Sequence, residues 1–296
     1  IDVAAGKTLT LSGTLISTAE AASCGCDGKS LKINATSGYT GTVVISGSNT
    51  YTGSTNIYAG TLVVAGNAPS NSAGTLGKST NAILLGDTSG SNSASLLTNG
   101  AYTIARAVTV QSGNSGTMTI GGTGAYDAIF SGNITLNKAV TLTADASGSV
   151  TFQTGVISGA SAVTKVGSGS VVFAAANTYS GNTTVNAGTL SISSSGKIYS
   201  GLNASGPVIT VNSGAILSLN SWAWDGSLGT LFYDKTGLVI NGGTLRYLGA
   251  SDNSRDANGN ARGFTVGVSG AVFETVTSGV TWTLYRDNSS NYQAVF

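Results

Sequence analysis

Histidine is missing altogether from the 296 residues, and charged side chains make up only 8% of them. The absence of His removes the commonest general base and the commonest metal ligand at once. Net charge is +1, and the 13 basic residues are scattered from Lys7 to Arg286, so the basic stripe that a nucleic-acid partner requires is absent. Proline and cysteine occur twice each, and no apolar run approaches the roughly 18 residues needed to span a bilayer as a helix. The opening IDVAAGKTLTL has neither the basic start nor the apolar core of a signal peptide, so an exported form would be a processed product. Sustained helical periodicity is lacking as well.

What fills the space is glycine, at 43 residues, together with Ser, Thr and Asn. Glycine averages about 7% in globular chains, so turns are heavily over-represented. An apolar fraction of 41% separates this composition from that of a disordered chain. Alternating strands punctuated by turn residues recur, as in KTLTLSGTL, TMTIGG, NITLNKAVTLTAD and GVTWTLY. The fold class is all-β.

Two segments repeat each other. GTVVISGSNTYTGSTNIYAGTLVV, from Gly41, aligns with GSVVFAAANTYSGNTTVNAGTLSI, from Gly169, at a constant offset throughout. Weaker echoes stand at 4 to 11, 212 to 219 and 241 to 248. A supersecondary unit that cannot bury its apolar face alone implies stacking, and a right-handed parallel β-helix fits best, with a β-sandwich as the rival. Gly and Asn would turn the corners because they tolerate positive φ. At roughly 20 to 25 residues per coil the chain would make about 12 to 14 coils, a rod of roughly 60 Å, with both copies at similar corners. Residues 1–216 read as the helix proper. Residues 217–296 read as an aromatic-rich closing section continuous with it.

The pattern Asn-Thr-Tyr-Ser/Thr-Gly-x-Thr, followed by Ala-Gly-Thr-Leu, resembles the passenger-associated strand repeat of bacterial autotransporters, at Asn49 to Leu62 and Asn177 to Leu190. VTKVGSGSVVF, 163 to 173, is similar to that family's opening, with Val163 in place of Leu. The resemblance implies export across a Gram-negative-type envelope and a β-helical passenger, and it transfers no catalytic residue. The residues after the repeats leave no room for the usual membrane β-barrel translocator, so a passenger alone is expected.

Candidate sites are few. Gly28-Lys29-Ser30 and Gly77-Lys78-Ser79 lack the earlier glycine of a phosphate-binding loop and read as turns. In GGTGAYDAI, Asp127 falls one residue late for a calcium repeat. Ser254, Asp256 and Asn258 place oxygens at alternate positions before Gly259, as a calcium loop does, against the reading of a solvated hairpin. Calcium is the single cofactor candidate, and none is expected. Cys24 and Cys26, one residue apart, could form a strained local disulfide, pair with another chain or stay free, and a local pair is favoured. Trp222 and Trp224 share one strand face, either capping the rod or offering a platform to glycans or a neighbouring subunit. The acidic residues are spread singly, which disfavours a glycan-cleaving enzyme.

The expected function is thus a non-enzymatic structural protein of the bacterial surface whose partners are copies of itself. A glycan-binding adhesin is the alternative, and a polysaccharide-cleaving enzyme comes third.

Overall fold

Short alternations of Thr with Val, Leu or Ile, each closed by a turn glycine, have one apolar side and cannot bury it singly. Here they bury it by stacking. The computed structural model describes residues 1–16, 30–199, 208–221, 228, 237–249, 252–253, 264–280, 282–285 and 293–295. They form a parallel β-solenoid with three faces. The long face has eleven strands, from Thr8–Leu11 to Thr265–Val266. The second has eight, from Thr103–Ile104 to Val272–Thr275, and the third has six, from Leu31–Ile33 to Ile157–Gly159. Coils continue past residue 216, since Ile209–Asn212 pairs with Leu238–Asn241 and Ile216–Leu219 with Thr244–Tyr247. A small sheet joins Asp252–Asn253, Trp282–Tyr285 and Gln293–Val295.

Strands meet in direct register, so side chains stack in rows along the rod. One inward row on the long face runs from Leu9 through Val43, Leu62 and Leu96 to Ile240 and Val266. On the second face Phe130, Phe152 and Phe173 occupy one row, with ring centroids 5.5 and 5.9 Å apart, and Tyr179 packs edge-on against Phe173. Such spacing is that of favourable aromatic pairs. Among the described residues the long face has eleven rungs, against the 12 to 14 coils expected, about 50 Å at ~4.8 Å per rung. Several coils are longer than the 20 to 25 residues expected. The first rung step carries the chain all the way from Thr8 to Thr42, whereas the next needs only the shorter stretch from Thr42 to Thr61.

The two repeat copies do not occupy similar corners. In the first, Thr42–Ile45 and Gly60–Val64 lie on the long face and Thr55–Ile57 on the third. In the second, Ser170–Phe173 and Thr189–Ile192 lie on the second face, and Thr183–Val185 on the long one. Each copy is a two-faced coil, and the second is turned one face around the axis. Between them lie three coils, beginning at Ala94–Thr98, Met118–Gly122 and Val140–Ala144, with a strand on every face; among the described residues the coils before them lack a strand on the second face and those after them lack one on the third.

Turn glycines hold the copies alike despite the rotation. Gly60 has φ +69° and Gly188 φ +60°, and a Cβ on either would stand 2.4 Å from the carbonyl oxygen of the coil below, Gly41 or Gly169. Backbone approach that close admits no side chain. Gly188→Ala should therefore cost at least about 2 kcal/mol, from a strained φ plus the clash. Gly214→Ala, at φ +75° with nothing within 4 Å of the added Cβ, should cost only about 1 kcal/mol. Urea midpoints of the two variants measure the difference; equal midpoints would contradict this packing.

Candidate functional site

Asn49 and Asn177, Tyr51 and Tyr179, and Thr55 and Thr183 are buried in both copies of the repeat, as is Lys165 in the second. Asn49 and Asn177 are fully enclosed, and neither adopts positive φ. The bend expected at this Asn is replaced by a bridge between coils. Asn177 Oδ1 accepts from the Ile157 N–H (2.9 Å), and its Nδ2 donates to the Lys197 carbonyl (2.9 Å). Asn49 does the same between the Leu15 N–H (2.7 Å) and the Thr75 carbonyl (2.7 Å). Buried backbone groups need partners, and at these corners side chains supply or supplement them; the Lys197 carbonyl also accepts from the Asn177 N–H (3.2 Å).

Two residues further on, Tyr51 and Tyr179 point inward, and their hydroxyls share hydrogen bonds with Thr55 (2.8 Å) and Thr183 (2.6 Å). Burial pushes Tyr51 up to about 12 and raises Tyr179 as well, with the Thr hydrogen bonds acting weakly the other way. These pairs place a polar contact in the core without leaving a lone hydroxyl.

Lys165 is also fully buried. Its Nζ donates to the carbonyls of Val166 (2.8 Å), Gly167 (2.8 Å) and Ala187 (3.0 Å), capping the turn of its own coil and that of the next. In the first copy the matching position is Ser37, and the job passes to Asn34. Asn34 Nδ2 donates to the carbonyls of Ala59 (2.9 Å) and Gly41 (2.9 Å), while its Oδ1 accepts from the Val3 N–H (2.8 Å). Ala59 and Ala187 are the same repeat position, so unlike side chains answer one backbone demand. Arg106, likewise buried, donates to the Leu76 carbonyl (2.8 Å) and to that of Asn81 (3.0 Å from Nε), with burial lowering its pKa.

The outer side of the long face is different. Following the register outward from Thr8 gives Thr42, Thr61, Ser95, Thr119, Thr141, Thr164, Thr184, Thr210, Val239 and Thr265. Ten of these eleven bear a hydroxyl, and each is exposed or half-buried. Two residues along, a parallel outer row holds Thr10, Val44, Val63, Leu97, Gly121, Thr143 and Val166. The single charged residue in the eleven strands of this face is Lys165, which points inward. The other faces carry charge outward, as in the Arg246–Glu274 ion pair (2.8 Å) across neighbouring coils.

Elsewhere the third face has a shallow pocket of about 130 Å³ lined by Asn56, Tyr58, Leu84, Asp87 and Gln111 among others. Asn56 Oδ1 is buried there without a hydrogen-bond partner. Gly77-Lys78-Ser79 is a turn, with φ +72° at Gly77 and the Ser79 hydroxyl accepting from the Asn81 N–H (3.1 Å). Asp127 sits on a strand and accepts from the Ser149 hydroxyl (2.8 Å). Cys24, Cys26, Trp222, Trp224, Ser254, Asp256 and Asn258 lie outside the described residues. Among the described residues no three His, Cys, Asp or Glu side chains are grouped to hold a metal, and no helix is long and apolar enough to cross a membrane.

The buried lysine has a measurable consequence. Desolvation lowers Lys165 from the ordinary 10.5 to about 8. Between about pH 8 and 10 the unfolded chain then holds a proton that the folded chain has released, so stability rises with pH across that window. Above about pH 10 the trend reverses, because Tyr51 and Tyr179 ionise more readily unfolded than folded. Lys165→Met should flatten the rise between about pH 8 and 10 in urea midpoints; a wild-type midpoint that falls across that window would contradict the sign.

The family profile described as Passenger-associated-transport-repeat matches residues 38–64 and 163–192. These matches contain Asn49, Tyr51, Thr55 and Gly60 in one copy and Lys165, Asn177, Tyr179, Thr183 and Gly188 in the other. No curated protein and no solved structure matches the chain. The matched segments cover about a fifth of the sequence. The chain is a β-solenoid that carries the passenger-associated-transport-repeat twice, and in this it is similar to the passengers of bacterial autotransporters.

Proposed function

We propose that this chain is a non-enzymatic, extracellular rod of the bacterial cell surface that joins to copies of itself end to end. The repeat family supports a passenger exported to the surface. The observation that carries the self-association is the condition of the first and last described strands of the long face. In the inward row of the long face, Val43, Leu62 and Ile240 are all 0% exposed, whereas the terminal members Leu9 and Val266 are 37% and 47% exposed. Those two residues belong to the first and last strands of the same sheet. Apolar side chains left open on both of these strands favour burial against a second copy.

Docking the Val266 end of one copy on the Leu9 end of another would continue the inward apolar row across the junction. The contact is heterologous and leaves a free end on every assembly, so it propagates as a filament unless it closes into a ring. A net charge near zero adds little repulsion along the way.

Negative-stain microscopy of concentrated protein should show rods joined lengthwise into filaments one solenoid wide or more. Leu9→Lys combined with Val266→Lys should return single rods. Dispersed single rods from the wild-type protein at the same concentration would overturn the reading.

A further inference from the structure

A row of hydroxyls over eleven strands, with an uncharged row beside it over seven, is unusual for a solvent-facing surface, where Lys, Arg, Glu and Asp commonly make up about a quarter to a third of residues. Neither outer row of the long face contains a charged or aromatic side chain. A charged partner finds no complementary group there, and a sugar ring finds no aromatic plane on which to stack. What the face does match is itself. Its side chains recur once per rung, and the half-buried Val44, Leu97 and Val166 lie beside hydroxyls that can meet other hydroxyls.

We propose that the long face is a lateral docking surface for the long face of a second copy, packed sheet against sheet about a two-fold axis. This deepens the self-association proposed above by adding a sideways contact to the end-to-end one, and it stands on different residues. Two sheets so packed would lie about 10 Å apart, with Thr, Val and Leu interdigitating as in a dry zipper. The size is adequate. A face of about 50 Å by about 12 Å gives roughly 600 Å² per copy, or roughly 1,200 Å² in all, just above the ~1,000 Å² that a specific interface should clear. No ion has to be stripped of water to form it, in keeping with the depletion of charge at interface cores.

Full overlap of two antiparallel rods identifies the centre of the contact. Thr141 stands on the sixth of the eleven rungs, in strand Val140–Ala144. At a two-fold axis the central residue meets its own counterpart.

Sedimentation velocity over a concentration series tests this in an end-blocked background, Leu9→Lys with Val266→Lys, where lengthwise joining is removed. The end-blocked protein should form a dimer. Adding Thr141→Lys should weaken that dimer at least about tenfold by opposing like charges in a dry contact. Mixing the Thr141→Lys and Thr141→Glu forms should restore it as a mixed dimer. Unchanged circular dichroism and melting establish that the variants fold, and Thr119→Lys, one rung away, is the second variant if Thr141→Lys does not. An end-blocked protein that stays monomeric, or a dimer that survives Thr141→Lys, overturns the lateral contact. A wild type that stops at a dimer supports it and contradicts the end-to-end reading instead.

Discussion

Every corner of a stacked coil poses the same demand: backbone N–H and C=O groups that the ladder has left behind are shielded from water and must find partners. In this protein side chains buried in the rod meet it. Asn177 reaches one way to Ile157 and the other to Lys197, Asn49 joins Leu15 to Thr75, and Lys165 holds three carbonyls at once. Leaving such a group unpaired costs about 1–3 kcal/mol, which is comparable to the burial of a core side chain. The repeat is therefore best understood as a set of coil-to-coil ties plus the strands between them. Substituting Asn34 for the absent lysine in the first copy, on the matching alanine carbonyl, shows that the backbone demand comes first and the residue type second.

That demand arises at each corner whichever face the corner joins, and this is why a copy can turn by one face and keep its ties. Asn49 and Asn177 stand at different corners of the rod, yet each links the coil before it to the coil after it. Among the described residues only the long face is continuous, since the third face ends with Ile157–Gly159 and the second begins at Thr103–Ile104. Continuity gives the long face its unbroken outer rows, and the absence of charge from them singles it out as the surface on which assembly is proposed.

Much of the fold is legible in the sequence. Period-two alternation places strands at Thr8–Leu11, Met118–Gly122 and Val140–Ala144, and the shared glycines at 60 and 188 mark turns. The inward position of Lys165 is legible too, because it keeps step with Val163 in VTKV, although three carbonyl partners cannot be read from a strand. Asn49 reads as a bend because Asn favours turns, while its burial depends on Leu15 and Thr75, which belong to the coils on either side of it. The rotation of the second copy is invisible for a related reason: a constant offset between the copies says nothing of how many strands each intervening coil spends. The hydroxyl ladder is scattered through the sequence as single residues such as Thr8, Thr42 and Thr61, unevenly spaced, and only register brings them into line.

Single buried side chains tie one coil to the next. Native-state hydrogen exchange on Asn177→Ala is the sharpest test of this, since the Ile157 amide has Asn177 Oδ1 as its partner. Protection should fall markedly at Ile157 and its neighbouring coil, with amides of the distant strand Gly60–Val64 retaining theirs. Protection at Ile157 that matches the wild type would contradict it.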